Sequence, residues 1–239
     1  MKRILIALFI VIVVVILSLF LAGVFRRPSS ETQPVTTEPE GPFVIIVLDP
    51  GHGGRDPGAV VGDILEKEVN LEIVNKVRGL IEAHPLLKPV LTRTTDVTVD
   101  KLERTQLADD IGAALYLSIH VNAFDDPEVN GAETWVDDTR PPGDESWKLA
   151  VSVQDALVAA TGARDRGIRS QELYLQHTTL PAVSVEVGFL TSLEERAKLL
   201  DSAYQDRIAQ GILEGILDYL NTATTLLDQP DGTTAPQSD

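Results

Sequence analysis

The chain has 239 residues, no cysteine and four histidines, a length that allows one ordinary globular domain with appendages. Without cysteine, disulfides and thiolate metal ligands are excluded, and any transition-metal site must be built from histidine and carboxylate. The net charge of −16 is uneven: residues 1–27 carry +4, residues 28–42 and 221–239 carry −3 each, and the body between holds −14, which excludes the clustered lysine and arginine that nucleic-acid recognition requires.

Ile4 to Phe25 runs without a charge, and at about 1.5 Å per residue it spans roughly 33 Å, enough for one transmembrane helix. A cleaved signal peptide is the rival reading, but Leu21-Ala-Gly-Val-Phe25 is a poor cleavage site for one. Residues 1–27 are therefore expected to be a membrane anchor placing the body outside the cytoplasm, with secretion after cleavage as the alternative. Residues 28–42 are proline, serine, threonine and glutamate with one aliphatic residue, a disordered linker by composition. Residues 221–239 are expected to be a disordered tail.

The folded body, residues 43–220, opens on Val44-Ile-Ile-Val-Leu48, a β-branched run suited to a strand buried on both faces. Asp49-Pro50-Gly51 ends it, and Gly51, Gly53, Gly54 and Gly58 then surround His52 in a loop at the strand's carboxyl end, where ligands bind in open α/β sheets. The loop fits neither phosphate-binding glycine pattern.

Beyond the loop, strand and helix signals alternate. Strands are expected at 43–48, 89–93, 115–119, 131–136, 172–175 and 182–187, and helices at 66–83, 101–112, 145–160, 193–200 and 204–220. In the first helix Val69, Ile73, Val77, Leu80 and Ile81 recur at helical spacing; in the last, Ile208, Ile212, Ile216 and Leu220 do. The expected fold is a single three-layer α/β domain: a mainly parallel or mixed sheet of about six strands flanked by helices, preceded by the transmembrane helix.

His120 closes the apolar strand Leu115-Tyr-Leu-Ser-Ile-His120 and reaches the same sheet edge as His52. His84, after a helix, and His177, in a polar loop, read as structural and solvated. A catalytic zinc takes three protein ligands, and two histidines with one carboxylate is a standard set. Glu66 and Glu68 both start the helix after the glycine loop and are both candidates; Asp63-x-x-Glu66 also has the form of a capping box. Glu186, inside Ala182-Val-Ser-Val-Glu186, is costly to bury unless it pairs or works, so it is a candidate proton carrier, with an ion pair to an arginine such as Arg93 as the alternative. Asn122 and Arg93 are further candidates for support of the site.

The segments LDPGHGGRDPGA, EKEVNL, LTRTTD, LSIHVNAF, GAETW, DRGIR and PAVSVEVGFL, in that order, resemble the zinc-dependent N-acetylmuramoyl-L-alanine amidases of bacterial cell walls. The resemblance covers roughly residues 43–220. It departs at Asp109 and at Phe189-Leu-Thr-Ser192, neither of which is a candidate ligand. It implies zinc bound by His52, Glu66 and His120, with Glu66 preferred over Glu68, and Glu186 as acid/base. It also implies a peptidoglycan substrate, cut between N-acetylmuramic acid and L-alanine. A non-catalytic wall-binding module on the same fold, or a hydrolase of another amide, are the alternative functions. The ten residues from Asp137 to Ser146 are too short and too rich in proline for the regulatory helix that some such amidases insert there, so no obligatory protein activator is expected.

Overall fold

The computed structural model describes residues 43–227. The strands are β1 (Val44–Pro50), β2 (Val60–Val61), β3 (Ile64–Leu65), β4 (Leu87–Leu91), β5 (Leu115–Asn122), β6 (Ala132–Asp137), β7 (Asp165–Gln171) and β8 (Ala182–Phe189). The helices are α1 (Glu66–Glu82), α2 (Lys101–Asp110), α3 (Glu145–Thr161), α4 (Leu193–Leu199) and α5 (Ser202–Leu227), with a 3-10 turn at Tyr174–His177.

Six strands form one sheet in the order β4-β1-β5-β8-β6-β7, parallel except where β6 meets β8. This is the expected mixed sheet flanked by helices. Alternation along the buried strands divides the core. Ile46, Leu48, Leu115, Leu117, Val183 and Val185 face the layer of α1, α3 and α5, whereas Val47, Tyr116 and Ala182 face α2 and the 3-10 turn. The first of these clusters is much the larger, because three amphipathic helices cover that face and one short helix covers the other.

The expected strand at 172–175 is a misreading: Tyr174–His177 is a 3-10 turn, and the strand is β7, Asp165–Gln171. The physical reason is position in the sheet. β7 is an edge strand with a single large aliphatic residue, Ile168, so it lacks the alternation that marks a half-buried strand. Glu172-Leu-Tyr-Leu175 has strand-like composition because Leu175 and Tyr174 plug the smaller core from a turn. The capping-box reading of Glu66 also fails, since the residue before α1 is Leu65, which makes no side-chain cap, and Glu66 is the helix's first residue. The last helix runs to Leu227 rather than ending at Leu220.

Among the described residues no helix is long and apolar enough to cross a membrane. The expected span at residues 4–25 and the linker lie outside the described residues.

Candidate active site

The site stands at the carboxyl end of β1, β5 and β8. His52 is the one described non-glycine residue with positive φ, 63°. A side chain tolerates that region poorly, so the loop around it must over-determine the conformation. Arg93 does this: its Nε donates to the carbonyl of Pro50 and its Nη2 to those of Gly51 and Lys67. The support expected of Arg93 is thus a clamp on the loop's backbone, and its guanidinium is spent on carbonyls rather than on a pairing with Glu186. Lys67 adds a second strap, bonding the carbonyl of Gly54 at 2.9 Å and the carboxylate of Asp96 at 2.7 Å. Close approach requires glycine at two positions facing the cluster, Gly51 by space alone and Gly58 by its positive φ as well. A Cβ on Gly51 would lie 2.1 Å from the His120 ring, and one on Gly58 would lie 2.4 Å from Glu66 Oε2.

His52, Glu66 and His120 converge, with one ligand atom from each lying within 4.8 Å of the others. Glu66 Oε1 is 3.2 Å from His52 Nε2 and 3.0 Å from His120 Nδ1. Each ring's other nitrogen is committed elsewhere. His52 Nδ1 donates to Asp56 at 2.8 Å, and His120 Nε2 donates at 3.0 Å to Ser118 Oγ, whose own proton goes to Asp49. The two inner nitrogens therefore turn toward one shared carboxylate oxygen, and acceptors so placed need a cation among them. In the absence of metal that cation is a proton. Burial alone would lower the His52 imidazole, but the hydrogen bond and charge of Glu66, with Asp56, lift it to about 9. Burial likewise opposes, and Glu66 with Glu186 overcomes it to raise His120. Glu66 is held far below the usual carboxylate range, the two histidines outweighing its burial.

Glu186 sits on β8 directly opposite His120 in the parallel register. Its Oε2 is buried and has no hydrogen-bond partner, and burial raises its pKa to about 7, with the nearby Glu66 and Glu133 adding to the shift against His120. A carboxyl group tuned to neutral pH with one oxygen left open is suited to taking and returning a proton.

Sequence reasoning missed the support beneath. Asp49 is fully buried under the loop and accepts from Thr92, Arg104, Tyr116, Ser118 and Tyr174. Burial would raise its pKa, yet Arg104 and the hydroxyls hold it below the usual carboxylate range. Asn122 bonds Glu133 at 3.0 Å, so it supports a neighbour of Glu186 rather than the cluster of His52, Glu66 and His120. Glu68 is exposed and outside that cluster, as is His177; His84 caps the turn after α1 through Leu86.

The donor set fits a zinc ion: two imidazoles and one carboxylate would hold it, with tautomers fixed from outside and Glu186 level with His120 on the next strand. Such a set beside a buried carboxyl group is the kind of site that metal-dependent hydrolases use. Comparison narrows that class: the profile of the N-acetylmuramoyl-L-alanine amidases matches residues 46–218, and the chain belongs to that family. It is 40% identical over 175 residues to the N-acetylmuramoyl-L-alanine amidase LytC of Bacillus subtilis, an alignment covering 73% of this chain and 35% of LytC. The chain thus spans about a third of that relative's length. An N-acetylmuramoyl-L-alanine amidase from Clostridium difficile 630 superposes with a TM-score of 0.72 at 34% identity, over 76% of this chain and 99% of that one. The CwlD amidase from Clostridioides difficile, solved in complex with the GerS lipoprotein, superposes with a TM-score of 0.68 at 30% identity, over 74% of this chain and 98% of that one.

Proposed function

We propose that the chain hydrolyses the amide between the lactyl group of N-acetylmuramic acid and the L-alanine of the stem peptide, using a zinc ion held by His52, Glu66 and His120. The observation that carries this reading is the unpartnered Glu186 Oε2 beside a complete three-ligand set, within a chain of the amidase family. When bound, the ion supplies Lewis acidity, which polarises the carbonyl and brings the pKa of a water toward about 7. Glu186 takes the proton from the attacking water, holds it, and returns it to the departing amine of L-alanine, so the carboxylate is restored after each turnover. With the ion bound to their inner nitrogens His52 and His120 would be neutral, and Asp56 and Ser118 fix which nitrogen of each ring faces inward.

The rest of the proposal concerns placement. Residues 4–25 anchor the chain in the membrane and residues 28–42 tether residues 43–220 on the wall side, where peptidoglycan is the partner. No obligatory protein activator is required, and what supports this is the connection from β6 to α3, where residues 138–144 form only turns and carry no helix that covers the site. The test is product analysis: zinc-loaded protein and purified peptidoglycan should release stem peptides with a free L-alanine amino terminus and leave glycan chains intact. Shortened glycans, or peptides cut elsewhere, would assign it a different bond.

A further inference from the structure

One cluster at this edge of the sheet is not used by hydrolysis itself. Beside Glu186 the surface opens into a groove of ≈ 390 Å³ lined by Glu133, Arg166 and Arg169 as well as by Glu186. The register fixes their order. His120 of β5 is level with Glu186 of β8, and Glu186 with Glu133 of β6. Because β6 runs antiparallel to β8, its amino-terminal end meets their carboxyl ends, and β7 follows it with Arg166 and Arg169. At about 4.8 Å per strand, β7 stands roughly 10 Å from β8.

Glu133 is 2% exposed and saturated with donors. Its Oε1 accepts from Asn122 and Trp135, and its Oε2 accepts from Arg166 Nε at 2.7 Å and Arg169 Nε at 2.9 Å. One carboxylate balances one guanidinium, and two are present. Arg166 is packed over the Phe189 ring, 4.9 Å from its centroid. Arg169 is the freer of the two, its side chain 43% exposed, and among the described residues its one ion pair uses Nε alone. Its outer fork is therefore open to the groove while its inner edge is braced by a buried charge. Such a guanidinium is pre-organised to take a carboxylate through two parallel hydrogen bonds.

We propose that Arg169, braced by Glu133 and Arg166, binds the free carboxylate of the stem-peptide residue that follows L-alanine, which lies within the roughly 10 Å that two strand spacings span. This rests on the amidase reading of the site. It also orients the substrate, with the peptide running toward β7 and the glycan toward the larger groove of ≈ 620 Å³ lined by His52, Asp100 and Tyr174.

The test uses two synthetic muramoyl peptides, identical except that the carboxylate of the residue after L-alanine is free in one and a carboxamide in the other. Zinc-loaded full-length protein should cleave the free acid with about tenfold higher kcat/KM, mostly through KM, as expected for one charge-assisted pair. Arg169→Gln should bring the ratio of the two kcat/KM values close to one, and Arg169→Lys, which keeps the charge but loses the fork, should give an intermediate ratio. Zinc content should match the parent, and the melting temperature should fall in Arg169→Gln because buried Glu133 loses one of its two arginines; if Arg169→Gln fails to fold, Arg169→Lys decides. Equal cleavage of both peptides by the parent, or a ratio unchanged in the variants, overturns the subsite and leaves the amidase reading standing. Cleavage of neither peptide overturns both.

Discussion

His120 owes its orientation to residues that never touch a metal. Ser118 Oγ accepts from its Nε2 and donates to Asp49, so a chain of two hydrogen bonds from a buried carboxylate turns Nδ1 toward Glu66. Ser118→Ala removes the relay without changing a ligand, and we expect zinc affinity to fall about 10- to 100-fold, measured by competition with a chelator. Unchanged affinity would show the relay to be ornamental. The protonation of the metal-free cluster gives a pH prediction. The folded value of His52, about 9, lies above its ordinary 6.5, so its stabilising contribution is complete below about 6.5 and lost as the pH rises through about 9. Glu66 is lowered from 4.5, so its contribution is present above that value and lost on acidification. At pH 7 both hold, and zinc must displace the histidine proton. Calorimetry in two buffers of different ionisation heat should detect release of about one proton or more per zinc at pH 7, with less above about pH 9. No release at pH 7 would contradict the protonated metal-free cluster. The two histidines were legible because histidine is scarce and strand ends are marked by glycine and proline, whereas Glu66 was separated from Glu68 only by the family resemblance. Asp49 carried the same signal as Glu186, a carboxylate in an apolar strand, but Pro50 and Gly51 made it look like part of a turn.

Among the elements, the long ones and the edge strand β4 were readable, and the edge strand β7 was not. Helix α1 and strands β1, β5 and β8 have strong periodicity or unbroken β-branched runs, and each forms close to its expected bounds. β7 is held by pairing to β6 and by its arginines to Glu133, contacts that no local pattern reveals. The packing of α3 on α5 was hidden for a similar reason. A Cβ on Gly211 would come within 2.8 Å of Leu157 Cα, and one on Gly215 within 2.6 Å of Val153 Cα. The glycines therefore set how closely the two helices approach. An alanine in a helix is ordinarily favoured over glycine by about 0.5–1 kcal/mol, but here overpacking against backbone costs about 1–3 kcal/mol and should win. Gly215→Ala is expected to lower the melting temperature by several degrees with zinc binding intact. A raised melting temperature would mean that the helices separate without cost.

At the scale of the whole molecule, a body of −14 would meet, in the proposed peptidoglycan substrate, a polymer that is also anionic. Repulsion between them is screened by salt, so the body should bind walls weakly at low ionic strength and better as salt rises moderately. Strong binding that declines steadily with salt would point instead to attraction dominated by basic side chains. Local concentration then has to come from the proposed tether rather than from wall affinity. Control follows the same logic: with only turns between β6 and α3, the zinc-loaded protein should act on peptidoglycan without added protein. A zinc-replete preparation that gains large activity only with a partner would show an activator. The account as a whole depends on Glu186 moving protons beside a metal it does not bind, and Glu186→Gln separates those roles. Measured together, zinc content should stay stoichiometric and peptidoglycan hydrolysis should fall by at least about 100-fold. Full turnover in a zinc-loaded Glu186→Gln protein, or loss of the zinc itself, would contradict it.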